Sequence, residues 1–254
     1  MNYLNISDKE YKIKVKEHLK YASEFHLPNI AVNTVIFSFH KKRLNVLLLK
    51  FADTPHFMLP GGLVMKDEDI DDAAMRNLKD RTDLENIYLE QFYTTGKAKY
   101  NSEDIVNVFS KQLGDKMVEN WLNQRFIRIC YYALVDEDKL KPTTKDLFVN
   151  EHKWVDAFEH PKLLFNHNII VEKAILKLQD DLDKKLVEIG ENLMSETFTM
   201  GELQKLYEAV FQREFTRTNF QRKMLSLNIL ERLEKKYSGK SHKAPYLYRF
   251  KDIQ

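Results

Sequence analysis

The stretch from Leu59-Pro60-Gly61-Gly62 to Leu84 constrains the fold more than any other part of the chain. It reads as a strand end, a tight glycine turn and a helix. Gly62 is followed after five residues by Glu68, and after seven more by Arg76-Asn77-Leu78-Lys79-Asp80-Arg81-Thr82-Asp83-Leu84. Asp67, Glu68 and Asp69 begin the helix with carboxylates, which suit the positive end of its dipole. Ala73, Ala74, Leu78 and Leu84 supply its buried face. Positions three and four apart share a helix face, which groups Asn77, Asp80 and Arg81. That face offers an amide, one short carboxylate and a cation. A divalent cation needs several hard oxygen ligands, and a guanidinium among them repels it and can pair with Asp80 instead. Glu68 and Asp80 alone leave room for weak metal binding, and no metal or other cofactor is expected.

The flanking segments alternate sheet and helix. Ser7-Asp8 can cap a helix running to about Phe25, which packs on the next domain or joins a dimer. After Pro28, Asn29 to Phe39 is rich in β-branched and aromatic residues and predicts a strand. Lys41-Lys42-Arg43 is a turn, and Leu44 to Phe51 a second strand whose Val46-Leu47-Leu48-Leu49 run predicts burial on both faces. Ile87 to Tyr93, Phe126 to Val135 and a short Trp154-Val155 segment read as further strands, and Asn101 to Asn123 as a long loop or insertion. A helix follows through Val171, Ala174, Ile175, Leu178 and Leu182. Strands and helices mixed this way give an α/β sandwich.

Charge separates the two ends of the chain. Residues 199–254 hold 12 Lys+Arg against 6 Asp+Glu, a formal +6, whereas the whole chain is 40 against 38, or +2. The first 198 residues are therefore 28 against 32, or −4. An acidic front and a basic tail point to two domains with different partners. The single cysteine, Cys130, excludes an intramolecular disulfide or a cysteine-based zinc site, and its apolar neighbours make it a buried strand thiol. No apolar run spans a membrane, and the N-terminus lacks a signal peptide's pattern, so a cytoplasmic protein is expected.

The basic tail has a recognisable order. Thr197 to Val210 reads as a helix capped at Thr199 with Glu202 three residues on. After a turn at Arg213-Glu214-Phe215, the segment Thr216 to Leu225 turns Phe220, Met224 and Leu225 inward. It displays Arg217, Asn219, Gln221, Arg222 and Lys223 on the other face. Two strands, Ile229 to Leu233 and Tyr246 to Phe250, flank a loop holding Lys235, Lys236, Lys240 and Lys243. Helix, turn, basic helix, strand, basic loop, strand is a winged helix-turn-helix pattern. Arg, Asn and Gln on the second helix suit base edges in a major groove, the lysine loop suits phosphates, and Thr216 and Thr218 can donate to phosphate at the helix start.

The box spacing resembles the Nudix box, Gly-x5-Glu-x7-Arg-Glu-U-x-Glu-Glu-x-Gly-U, with U aliphatic. Pro60, Gly61, Gly62, Glu68, Arg76, Leu78 and Leu84 fall where that family has them. Asn77, Asp80 and Arg81 replace three of its glutamates, and Asp83 its helix-ending glycine. Lys153-Trp154-Val155-Asp156 with Leu164 to Ile170 resembles the domain end of the Nudix-related transcriptional regulators of the NrtR type, where a Phe-Asp-His triplet opens the last helix. Here Asn166 holds the middle position and suits a helix cap, and His167 serves packing, capping or a ligand. Glu202-Leu203, Leu206-Tyr207-Glu208 and Asn219 to Lys223 resemble that family's winged-helix tail.

The resemblance implies a Nudix α/β/α sandwich with a mixed sheet, then a winged helix. The expected division is an N-terminal arm at residues 1–28, a sensing domain at 29–180, and a linker helix with the DNA-binding domain at 181–254. It implies a homodimeric repressor on palindromic double-stranded operator DNA, released by a small effector. Family members sense ADP-ribose or related nucleotides, and a branch in gut Bacteroidetes senses L-arabinose. The degraded box, without an evident run of phosphate-binding arginines, favours a small sugar. Lys50, His56, Glu68, Tyr93 and His167 are placed near the effector by fold position, each with a structural reading beside it. The rival is an active Nudix pyrophosphatase resting on Glu68 and Asp80, and a third reading is an RNA-binding Nudix protein.

Overall fold

The computed structural model describes residues 24–51, 54–83, 87–96, 124–137, 149–236 and 244–251, with Ser7 and residues 9–10, 13–14 and 16–17. The last six of these are helical, and the Glu10 N–H donates to Ser7 Oγ at 3.3 Å, as a cap there requires. The predicted loop over 101–123, Leu84, Lys240 and Lys243 lie outside the described residues.

The front sheet contains β1 (His26–His40), β2 (Arg43–Phe51), β3 (Phe57–Met58), β4 (Gly61–Met65), β5 (Tyr88–Thr95), β6 (Ile127–Leu134) and β7 (Val149–Asp156). Its spine runs β3-β2-β1-β6-β5, with β4 on β1 and β7 on β2. The sheet is mixed, because β1 and β6 run parallel while the other pairs are antiparallel. Helix α1 (Ile70–Thr82) covers one face through Ala73, Ala74 and Leu78. Helix α2 (His167–Leu182) covers the other through Ile170, Val171, Ala174, Ile175 and Leu178. This is the expected α/β/α sandwich.

Three local expectations change. Gly61 and Gly62 lie in β4, paired with Asn33 and Val32, and do not form a turn. A Cβ on Gly61 would meet Val32 O at 2.3 Å and Asn33 Nδ2 at 2.5 Å, and one on Gly62 would meet Asn77 Oδ1 at 2.1 Å. Gly61 allows close approach to β1 beside it in the sheet, and Gly62 to the helix that carries Asn77. Strand β1 starts at His26 and passes through Pro28 by shifting register between His26 and Ala31, with Asn29 at φ 60°; a bulge is where a strand tolerates proline. Helix α1 starts later than expected, at Ile70 with Asp69 as its N-cap, so Asp71 and Asp72 supply the first-turn charge.

Past α2 the chain forms α3 (Leu186–Leu193), β8 (Phe198–Thr199), α4 (Met200–Phe211), α5 (Arg217–Ser226), β9 (Leu230–Lys235) and β10 (Tyr246–Phe250). The second sheet has the order β8-β10-β9. The sequence reading missed α3 and β8. Leu186, Ile189, Gly190 and Leu193 carry the helical spacing that marks α3, and all four are buried. Gly190 is small because the Phe250 ring occupies the place of a side chain. Thr199 and Glu202 form the predicted capping box at 3.2 and 2.6 Å. One apolar core joins the two parts, running from Val35, Phe37 and Leu48 of the sheet to Leu206, Tyr207 and Phe220 of the tail.

Candidate effector site and nucleic-acid interface

The box helix is closed by hydrogen bonds within the protein. Glu68 accepts from Arg76 at 2.5 and 2.9 Å and from the Met65 N–H at 2.7 Å. The Arg76 guanidinium holds the Glu68 carboxyl below the usual carboxylate range. Asn77 is buried, donates to Ala73 O at 2.7 Å and packs under Gly62. Asp80 comes within 3.9 Å of Arg76, one turn back. Among the described residues no three His, Cys, Asp or Glu side chains converge to hold a metal ion. Asp83 reaches φ 57° at the helix end, with its N–H on Lys79 O, so the family's glycine geometry persists without the glycine.

On the opposite face of the sheet a polar group gathers where α2 begins. Asn33 of β1 pairs with Cys130 of β6, and Cys130 pairs with Tyr93 of β5. Side chains alternate along a strand, so Arg128 shares this face. Its guanidinium lies 5.7 Å from the ring centres of both Phe126 and Phe165. Phe165 and Asn166 take left-handed backbone angles, φ 60° and 58°, immediately before α2. For an aromatic residue that conformation is costly, and it seats the Phe165 ring 5.4 Å from His167. His167 is buried, and its Nδ1 accepts the Leu59 N–H at 3.0 Å. Burial, aided by the Arg128 charge, pushes its pKa well below the ordinary value, so the ring is neutral.

The five residues assigned to the effector by fold position are not brought together. His167 and Tyr93 share the α2 face, but His167 Nδ1 is engaged and Tyr93 packs on the core beside Phe92. Glu68 is bound to Arg76, and Lys50 pairs with Glu151 at 3.0 Å. His56 lies in the turn after β2, its backbone carbonyl accepting from the Phe51 N–H. Asn33 and Arg128, which the same face also carries, are buried polar residues inside apolar strand patterns. Cys130 is fully buried, and burial pushes its thiol up to about 12.

In the tail, α5 buries Phe220 and Met224 and exposes Arg217, Thr218, Asn219 and Arg222. Gln221 is half-buried, and Arg222 donates to Asn219 Oδ1 at 3.3 Å. Thr216 is the N-cap residue, exposed and without a side-chain capping bond. Leu225, expected inward, is 46% exposed because it follows Met224 by one position, about 100° around the helix. Lys223 reaches Asp183 at 2.8 and 2.9 Å beside the buried Tyr207 ring, whose hydroxyl also donates to Asp183 at 3.0 Å. In the wing, Lys236 pairs with Glu202 at 3.1 Å, and Lys235 and Arg232 lie over the Tyr246 ring.

Residues 190–250 match the family model of the NrtR DNA-binding winged helix domain. The ADPR responsive transcriptional repressor NtrR of Acinetobacter baylyi is 27% identical over 237 residues, covering 90% of this chain and 84% of that protein. Shewanella oneidensis NrtR, solved in complex with a 27mer DNA, shares the fold with a TM-score of 0.64. It is 23% identical, with 87% of this chain and 93% of that chain covered. A MutT/nudix family protein from Enterococcus faecalis has a TM-score of 0.61 at 18% identity, covering 96% and 97%. The chain thus joins an α/β domain of Nudix-like fold to a winged helix that matches the NrtR DNA-binding model, and over most of its length it is similar to an NrtR-type repressor.

Proposed function

We propose that the protein is a homodimeric transcriptional repressor that binds operator DNA through α5 and the wing and is released by a small effector in the front domain. The exposed polar row of α5, set against the buried Phe220 and Met224, carries the DNA reading. Base contacts discriminate sequence, while phosphate contacts add salt-sensitive affinity. On a duplex selected from a random pool by the wild-type protein, Arg222→Ala or Gln221→Ala should cost about 1–3 kcal/mol, with little change on random DNA. Replacing Lys235 and Lys240 should weaken both and lower the salt slope by about one unit for each phosphate no longer neutralised. Helix variants that keep full preference for the selected duplex would refute the assignment of α5. A preference for single-stranded RNA over the duplex would favour the RNA-binding alternative.

The effector proposed first is a small sugar, L-arabinose ahead of others. The box helix, with Asn77 turned onto its own backbone and Glu68 held by Arg76, supports a site unlike a magnesium-pyrophosphate centre. A ligand that binds only the folded state raises stability by roughly 2.7 kcal/mol at a hundredfold excess over its Kd. The expected result is a melting shift with L-arabinose and little with ADP-ribose or magnesium. ADP-ribose stands second because the Acinetobacter relative is named for its response to it, and a reversed ranking would install it. Turnover of ADP-ribose with magnesium at ordinary enzymatic rates, abolished by Glu68→Gln, would make the protein a hydrolase instead.

A further inference from the structure

The side-chain oxygen of Asn33 lacks a hydrogen bond among the described residues. The residue is 6% exposed in the middle of β1, and its Oδ1 is buried. Buried polar groups in native proteins are bonded in about nine cases of ten or more, because an unmade bond forfeits the water the group gave up. An apolar residue of similar shape would avoid that cost. The amide is instead held in place by β4, since the Gly61 backbone lies so close that a Cβ there would sit 2.5 Å from Asn33 Nδ2. Around it on the same face are Arg128 on the adjacent strand, Tyr93 one strand further, and the Phe165 turn that leads into α2.

We infer that the Asn33 amide reads the effector: it pairs with a hydroxyl of the ligand, which donates to Oδ1, while Arg128 donates to a second ligand oxygen beside the Phe165 ring. This rests on the proposed sensing role and deepens it by naming the chemistry of the ligand at that point. A hydroxyl both gives and accepts, as a carboxamide requires. A phosphate or carboxylate oxygen only accepts and would face the Asn33 carbonyl oxygen with like polarity. The group at Asn33 is therefore a polyol hydroxyl, whether from a free sugar or from the ribose of a nucleotide.

The test compares wild type with Asn33→Leu, close in shape, and Asn33→Ala, which removes bulk beside Gly61. Melting is followed without ligand and with L-arabinose, D-ribose and ADP-ribose. Without ligand, Asn33→Leu should melt at or above the wild-type temperature, because no bond is lost. With the probe that shifts wild type, both variants should bind at least about tenfold more weakly. A wild-type-sized shift in both variants overturns the inference and leaves the sensing role intact. Lower stability of ligand-free Asn33→Leu, with Asn33→Ala no better, also overturns it, since the amide would then be structural. No wild-type shift with any of the three probes removes the polyol assignment together with the sugar reading, while selected-duplex binding still decides the repressor.

Discussion

Asp83 holds a conformation that favours glycine. At φ 57° an aspartate pays for the turn that ends α1, and it is exposed with no packing to lose. Asp83→Gly should stabilise the protein by up to about 1 kcal/mol, visible as a melting point a few degrees higher; an unchanged or lower one would show that the carboxylate contributes there. His167 is the opposite case, since its value depends on being neutral. Its folded pKa lies well below 6.5, so its contribution is complete above pH 6.5 and is lost as pH falls from there through the folded value. His167→Ala should cost about 1–3 kcal/mol by stranding the Leu59 N–H. It should also flatten the pH dependence of the urea midpoint between about pH 6.5 and 5. A slope identical to wild type would assign that dependence to other groups.

The elements were read well where pattern and local chemistry agree. The β-branched and aromatic run of β1, the uniformly apolar β2 and the capping box of α4 all emerge from composition and spacing alone. What stayed hidden was set by partners distant in sequence. Gly61 and Gly62 look like a turn until β1 and α1 are seen pressing on them. The charged row on α5 was legible as a row, but Lys223 departs from it because Asp183, forty residues earlier, takes its ammonium group. Lys223→Met should consequently leave the salt slope on the selected duplex nearly unchanged, whereas Arg217→Ala should lower it by about one unit. Equal reductions from the two would mean that Lys223 leaves Asp183 when DNA arrives. The five effector assignments rest on fold position, which says which strand a residue occupies but not whether its polar atoms are already bonded.

At the scale of the molecule, charge points to two domains with different partners, and their packing is continuous. The acidic front and basic tail share one apolar core, and the end of α2 is tied to both. Asp181 accepts from Tyr132 of the sheet at 2.7 Å and from Lys177 at 2.8 Å. Glu90, which also meets Lys177 and Lys185, belongs to the same network. Burial would raise the Glu90 carboxyl, but the two ammonium groups and Tyr88 hold it at about 2. That part of the tie is complete above the unfolded carboxyl value of 4.5 and loosens as pH falls toward 2.

Two residues beyond Asp181, Asp183 is bonded to Tyr207 and Lys223 of the winged helix. So short a span leaves little slack, and a shift of α2 against the sheet would be carried to α5, the helix proposed to read DNA. The thermodynamic corollary is reciprocal. If an effector weakens operator binding by some factor, saturating operator must weaken the effector by the same factor. A sensor titrated in the presence of its operator should therefore look less sensitive than one titrated alone. Calorimetric titration of the effector into free and duplex-bound protein measures this, and unequal factors would break the two-site linkage. In a cell, the dose needed to lift repression would then depend on how many operator copies the protein is holding.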